Sequence, residues 1–350
     1  MSDVFRVGVT RDFLKPDGSV AFQNIGLDLL DRADGVSWEF LESWSPEVQP
    51  EQVRGFDALL VLAPSVTAAT LAGADRLLHL ARFGVGYDNV DIAACTRAGV
   101  LVTITPDGVR RPVASSVLAY MLALTLRMFD KDRLTRAGKW ANKLDVIGTG
   151  LIGRTLGIIG LGNIGREIVR LARPLGMRHL ACDPYVSPAD ARALDVDLVD
   201  METLLRTADI VSINCPLTPE TRHLLNRERL ALMKPTAYLI NTARGPIVDQ
   251  HALTDALVAR RIAGAALDVF ESEPVDPNDP LLKLDNVILA PHGICWTDEC
   301  FQAMGESACR GIIDMAAGRV PPFIVNRDAL PHPRLQVRLR NMENVPAGGA

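Results

Sequence analysis

The stretch Thr155-Leu-Gly-Ile-Ile-Gly160-Leu-Gly162-Asn-Ile-Gly165-Arg-Glu-Ile-Val-Arg170 decides the fold. It opens with an apolar run, 156–159, that reads as a buried strand. Three glycines follow at G-x-G-x-x-G spacing, and a helical pattern begins at once. Gly160 is expected to make the tight turn, Gly162 to let backbone approach a pyrophosphate, and Gly165 to allow close helix–strand packing. The helix N-terminus presents free N–H groups and a positive dipole end to phosphates. Asp183 closes the next apolar run, His179-Leu-Ala-Cys182, 18 residues beyond Gly165. A carboxylate there accepts hydrogen bonds from a ribose 2′-hydroxyl and repels a 2′-phosphate, so the expected cofactor is NAD.

The chain carries its own control. Gly148-Thr-Gly150-Leu-Ile-Gly153 has the same glycine spacing, but a strand follows it instead of a helix. The residue at the matching distance beyond it is Leu171, not an acid. That match is expected to be a loop leading into the true strand, because the motif is specific only with strand, helix and acid together.

At 350 residues the chain has room for about two domains. Its composition, 48% apolar and 23% charged with a net charge of −5, is that of an ordinary soluble protein. No run of basic residues points to a nucleic-acid partner. The start, Met1-Ser-Asp-Val-Phe-Arg-Val-Gly-Val, reads as an immediate first strand without a secretion signal. The most apolar helix candidate, Val117-Leu-Ala-Tyr-Met-Leu-Ala-Leu-Thr-Leu126, is half a membrane span, so no membrane partner is expected. Cys95, Cys182, Cys215, Cys295, Cys300 and Cys309 show no C-x-x-C pair and no metal-ligand spacing. Most read as small core hydrophobes, and Cys295, three residues after a histidine assigned to chemistry below, reads as a bystander. A cytoplasmic location is the expectation.

Short apolar runs alternate with helical stretches throughout, which argues an α/β fold with mainly parallel sheets. In the first part, strands are expected at 4–9, 58–62, 77–82 and 100–104, with a helix capped by Asp91 and stopped by Gly99. From Thr155 a second series runs at 156–159, 179–182, 210–214, 237–242, 265–270 and 287–291. A helix from Pro112 to about Met128 should bridge the two parts, with Pro112 in its first turn. A further helix, 298–317 with Gly318 as its stop, has no strands of its own and should pack back on the first domain. Residues 331–350 mix Pro, Gly, Arg and Asn without period and read as a tail of uncertain order.

In open α/β sheets ligands bind beyond the carboxyl ends of the strands. Few polar residues stand there. Arg244 follows the strand Ala237-Tyr-Leu-Ile-Asn-Thr-Ala; Asp268 ends Gly264-Ala-Ala-Leu-Asp268, with Glu271 and Glu273 just after; His292 closes Val287-Ile-Leu-Ala-Pro. Reduction of a 2-oxo acid needs these types. An arginine fork holds the carboxylate and polarises the carbonyl, and a histidinium donates the proton. A carboxylate beside the imidazole fixes its tautomer and favours the protonated form. Glu273 precedes Pro274, which restricts its backbone, and is therefore preferred to Glu271 as the partner. His79, His179, His223, His251 and His332 read as surface or core residues.

These motifs carry a family resemblance. Gly160-Leu-Gly-Asn-Ile-Gly165, Asn241-Thr-Ala-Arg244-Gly, Leu267-Asp-Val-Phe-Glu-Ser-Glu273-Pro and Pro291-His292 occur in this order. With Phe83-Gly-Val-Gly-Tyr-Asp-Asn-Val-Asp91, Pro216-Leu-Thr-Pro-Glu-Thr221 and Leu232-Met-Lys-Pro235, they resemble the D-isomer-specific 2-hydroxyacid dehydrogenases over roughly Val4 to Asn326. The resemblance implies a Rossmann-type NAD-binding domain (105–297) inserted in a smaller flavodoxin-like α/β substrate domain (1–104 and 298–330). It implies a homodimer and hydride transfer between NAD(H) and a D-2-hydroxy acid/2-oxo acid pair. Arg244 would hold the substrate, Glu273 and His292 would form the acid/base pair, and Asp268 would meet the nicotinamide carboxamide. Backbone N–H groups at Val85 and Gly86 would bind the substrate carboxylate. Asn163, Ile164, Pro216, Thr242 and Ala243 complete the implied cofactor-binding set.

Three positions depart from the family pattern: Ser115-Ser116 where Glu-His is frequent, Asn214 where a histidine often stands, and Gly293-Ile-Cys-Trp296 after the histidine. They bear on substrate identity. Two other functions stay open at this point: an NAD-sensing, corepressor-like interaction protein, and a dehydrogenase of another small anion such as phosphite. Arg110-Arg111, in an expected loop 105–112, are a candidate contact for a second anionic group of the substrate, against the plainer reading of a solvated pair.

Overall fold

A computed structural model describes residues 4–339. The chain divides into two compact units: residues up to Val109 with those from Trp296 on, and Arg110–Cys295, which interrupts the first in sequence.

In the first unit five strands form one parallel sheet: β1 (Phe5–Val9), β2 (Val36–Phe40), β3 (Ala58–Val61), β4 (His79–Arg82) and β5 (Leu101–Thr103). Their order, β2-β1-β3-β4-β5, is that of flavodoxin-like sheets. β3 is buried along its whole length, as a central strand covered on both faces must be. The sequence reading missed β2. Val36, Trp38 and Phe40 alternate with Ser37 and Glu39, and the strand lies on the sheet edge, half covered. The helix Ile92–Ala98 begins where Asp91 accepts a hydrogen bond from Ala94 N–H at 2.8 Å, and it ends at Gly99, in the left-handed region with φ 69°. The helix Asp298–Ala316 packs against Leu27–Asp31 and β4 of this same unit.

The second unit holds seven parallel strands: β6 (Thr155–Ile159), β7 (Arg178–Cys182), β8 (Asp197–Leu198), β9 (Ile210–Ile213), β10 (Tyr238–Asn241), β11 (Gly264–Leu267) and β12 (Val287–Leu289). The order β12-β11-β10-β9-β6-β7-β8 places the reversal of strand order between β6 and β9, where the glycine loop emerges. Six strands were expected from sequence; β8 is two residues long and gives no periodic signal. Each face of the sheet covers its own apolar core, one built around Leu204, Val211 and Leu239, the other around Val117, Leu156 and Ile168.

The bridging helix corrects the expectation. It runs Pro106–Thr125 with Pro112 inside it, so Arg110 and Arg111 lie on helix, not in a loop. Arg111 Nη1 reaches Glu167 Oε1 at 2.8 Å, within the second unit, and Arg170 Nη2 meets the same oxygen at 2.6 Å. Its guanidinium is thus a structural tie to the helix of the glycine loop. Hydrogen bonds from Arg170, against the cost of burial and with help from Arg111, hold Glu167 at a pKa of about 2. The expected tail is also corrected in part: Pro333–Arg338 is helical, Leu335 is fully buried, and Arg334 Nη1 donates to Ala98 O at 2.9 Å. Its remainder, 340–350, lies outside the described residues. No single helix among the described residues is long and apolar enough to cross a membrane; Pro106–Thr125 and Met128–Arg136 meet that test only together, bent by 56°.

Candidate active site

The three glycines of the β6 loop differ in what a side chain would meet. Gly160 has φ 91°, and a Cβ there would come within 2.7 Å of Cys215 N. At Gly165 a Cβ would stand 2.3 Å from Gly160 O, so helix and loop touch through the missing side chain. At Gly162 a Cβ would meet nothing within 4 Å. That position opens on free space at the start of the ten-residue helix Asn163–Ala172, whose first N–H groups have no side-chain cap. A pyrophosphate fits this cradle by shape and by dipole. The decoy match at Gly148–Gly153 lies in irregular chain before β6, with no helix after it.

Asp183 follows β7 and is half-buried. Its Oδ2 accepts from Leu161 N–H at 2.7 Å and its Oδ1 from Tyr185 N–H at 2.8 Å. The carboxylate therefore fixes the glycine loop, and each oxygen keeps a lone pair for a ribose hydroxyl. Asn163 (exposed) and Ile164 (half-buried) open the helix after β6, while Pro216 (exposed) and Thr242 and Ala243 (half-buried) lie on the loops at the carboxyl ends of β9 and β10. Pro216 O accepts from Thr221 Oγ1 at 2.7 Å, and Ala243 N–H donates to Asn241 Oδ1 at 3.0 Å.

The strands β10, β11 and β12 are neighbours, and the loops after them carry Arg244, Glu273 and His292. His292 Nδ1 lies 2.6 Å from Glu273 Oε2. The second glutamate oxygen accepts from Phe270 N–H at 2.9 Å. Burial opposes ionisation of Glu273, but the bonds from His292 and Phe270 and the charges of His292 and Arg244 outweigh it and hold the carboxyl below its usual range. His292 occupies the left-handed region at φ 52°. It is fixed there by its N–H on Asp268 O (2.8 Å), while Gly293 and Ile294 N–H groups converge on Asp268 Oδ1 at 2.8 and 3.0 Å. Burial pushes the Asp268 pKa up despite those two bonds. Arg244 donates from Nη1 to Ala243 O at 2.7 Å, and Asn241 Nδ2 donates to Arg244 O at 2.9 Å, which sets the turn. The Glu273–Pro274 peptide is cis.

Glu271 has a different partner, His223, with Nε2 2.6 Å from Oε1. The sequence reading passed over His223. The signal that would have found it is its place in the loop beyond the carboxyl end of β9, the same placement that singled out Arg244. Among the departures, Ser116 Oγ lies 2.9 Å from Pro112 O and 3.2 Å from Ile294 O, within reach of the loop that follows His292. Asn214 Nδ2 turns back to Ser212 O at 3.1 Å. In the first unit Trp296 packs edge-on against Phe22 and Phe301, while Val85 and Gly86 lie half-buried on the loop after β4. Burial pushes the thiols of Cys95, Cys215 and Cys309 up to about 12, 11 and 12, so they stay protonated at neutral pH and are poor nucleophiles.

The profile of the D-isomer specific 2-hydroxyacid dehydrogenase, NAD binding domain, matches residues 118–293. A glyoxylate reductase of Korarchaeum cryptofilum is 39% identical over 329 residues, 93% of this chain and 97% of the relative. The crystal structure of the TT0316 protein of Thermus thermophilus superposes with a TM-score of 0.81 at 34% identity, over 92% of this chain and all of that one. A D-lactate dehydrogenase of Aquifex aeolicus, solved with NAD and lactic acid, gives 0.80 at 27% identity, over 91% and 99%. These findings favour hydride transfer on 2-hydroxy and 2-oxo acids over the two other functions the sequence left open. The chain belongs to the D-isomer specific 2-hydroxyacid dehydrogenases, and is an NAD-dependent oxidoreductase of 2-hydroxy acid/2-oxo acid pairs.

Proposed function

We propose that this enzyme reduces small 2-oxo acids, glyoxylate and hydroxypyruvate foremost, with Arg244 holding the substrate and His292 delivering the proton. The observation that carries the reading is the 2.6 Å contact of His292 Nδ1 with Glu273 Oε2. It engages Nδ1 and leaves Nε2 as the ring nitrogen available to substrate. NADH, when bound, supplies the hydride to the carbonyl carbon. Arg244 meets the carboxylate and the carbonyl oxygen with its planar fork, so the oxygen is polarised before it gains charge. His292 gives its Nε2 proton to that oxygen and is left neutral; in the oxidative direction the same nitrogen takes the proton back. The N–H groups of Val85 and Gly86 bind the substrate carboxylate, which makes the first unit the substrate domain.

Gly160, Gly162, Asn163, Ile164 and Gly165 would hold the pyrophosphate, and Asp183 the adenosine ribose. Pro216, Thr242 and Ala243 would line the path to the nicotinamide, and Asp268 would accept from its carboxamide. The relatives named glyoxylate reductase support the choice of substrate. Leu126, Met128, Phe129, Trp140, Leu144 and Ile147, exposed along one stretch of the second unit, support a homodimer joined there. Six free cysteines support a reducing, cytoplasmic setting. A panel of glyoxylate, hydroxypyruvate, pyruvate, phenylpyruvate and 3-phosphohydroxypyruvate, followed by NADH absorbance loss, tests the reading. Activity highest on the first two supports it, and no turnover of any 2-oxo acid overturns it.

A further inference from the structure

The turn that carries Glu273 holds a second histidine–carboxylate pair. His223 Nε2 and Glu271 Oε1 are 2.6 Å apart, with side chains 38% and 26% exposed, and Arg222 Nη2 stands 3.7 Å from the same oxygen. The other oxygen of Glu271 accepts from Gln250 N–H at 3.3 Å, and Glu271 N–H donates to Gln250 Oε1 at 2.9 Å. Gln250 is anchored in turn, its Nε2 on Asp279 Oδ2 at 2.7 Å. From the other side, His223 N–H donates to Pro246 O at 2.8 Å and Leu225 N–H to Ile247 O at 3.0 Å. A Cβ on Gly245 would stand 1.8 Å from Phe270 O, so the Arg244–Gly245 turn rests directly on the Phe270–Glu271 peptide. Three loops are thereby joined, carrying Pro216, Arg244 and Glu273. His223 itself sits in the left-handed region at φ 49°, a conformation that is unfavourable for a histidine and needs its surroundings to hold it.

A polar contact on open surface contributes little to stability. The His223–Glu271 contact has both carboxylate oxygens engaged and lies between the two loops whose spacing the chemistry needs. We propose that His223 and Glu271 are positioning residues, fixing the Arg244 turn against the Glu273 turn so that guanidinium and acid/base pair keep one register. The inference rests on the roles assigned to Arg244, Glu273 and His292 above. A displacement near 1 Å between catalytic groups costs up to about a hundredfold in rate, so even a partial loss of this tie is measurable.

The test is steady-state kinetics of His223→Ala, Glu271→Ala, the double variant and His223→Gln in the full chain, with 2-oxo acid and NADH each varied. Each single alanine variant is expected to lower kcat about tenfold with KM for NADH within about twofold, and the double variant to be no worse than either. Gln at 223 retains a side-chain N–H for Glu271 and is expected to restore most of kcat. Single variants within about twofold of wild-type kcat, losses that multiply in the double variant, or a glutamine variant as impaired as the alanine one would each overturn the proposal. Arg244→Lys and His292→Gln are assayed alongside. If these two are impaired while the His223 variants match wild type, positioning alone fails; if these two also match wild type, the assigned roles fail.

Discussion

Glu273 and His292 lie 19 residues apart in sequence, on the loops after adjacent strands, and meet at 2.6 Å through Oε2 and Nδ1. The carboxylate is held ionised and the ring is fixed by backbone bonds on both sides of it. The contact orients the imidazole, so its consequences show in the rate of the proton step.

In the reductive direction the histidine is the proton donor, and Glu273 holds its ring through Nδ1. Glu273→Gln replaces the carboxylate by a neutral amide that holds the ring less firmly, and kcat is expected to fall by about tenfold to a hundredfold. The check is kcat for glyoxylate with NADH saturating. A variant with wild-type kcat argues that Glu273 does not govern the proton donor.

Arg244→Lys keeps the charge but loses the fork. Losing one charge-assisted bond that tightens in the transition state is expected to cost about 2–3 kcal/mol, roughly a hundredfold in kcat/KM. Near wild-type kcat/KM in this variant would remove Arg244 from the reacting centre.

Cofactor choice follows from Asp183. With both oxygens turned toward the Leu161 and Tyr185 N–H groups, the carboxylate is fixed where a 2′-phosphate would meet like charge. NADH is expected to be preferred over NADPH, and Asp183→Ala to shrink the preference by about tenfold or more, mainly through weaker NADH binding. The ratio of kcat/KM for the two cofactors, before and after substitution, decides this. Equal use of both by the wild type would contradict it.

Stability should depend on pH through His79. The ring is fully buried, with Nε2 2.8 Å from Thr103 Oγ1, and burial lowers its pKa from 6.5 to about 3. Between those values the unfolded chain binds a proton that the folded chain does not. Its contribution is therefore full above pH 6.5 and is lost as pH falls, by about 1.4 kcal/mol for each unit within the window. Urea unfolding of wild type and His79→Gln at pH 7.5 and pH 5 is expected to show a smaller acid loss in the variant. Equal losses would assign acid sensitivity to other groups.

Sequence alone made the central strands legible because β3, β6 and β10 are short apolar runs ended by turn residues, and burial on both faces leaves little room for polar ones. The edge strands β2 and β8 escaped for the opposite reason: one alternates with Ser37 and Glu39, the other is only Asp197–Leu198. The start of the bridging helix was misread because Pro112 is typical of a first turn, whereas the chain places it six residues further in, after Pro106. Arg244, Glu273 and His292 stood out as polar residues at strand ends. His223 shares that placement beyond β9, but it lies ten residues past the strand end, and its partner across 48 residues is set by the packing of loops.

The most direct measurement of the central claim is the NADH-dependent reduction of hydroxypyruvate by wild type and His292→Gln, with the chirality of the product determined. The account predicts D-glycerate from the wild type and a fall in kcat of about a hundredfold or more in the variant, while NADH binding is retained. L-glycerate as product, or a variant that turns over at the wild-type rate, would contradict it.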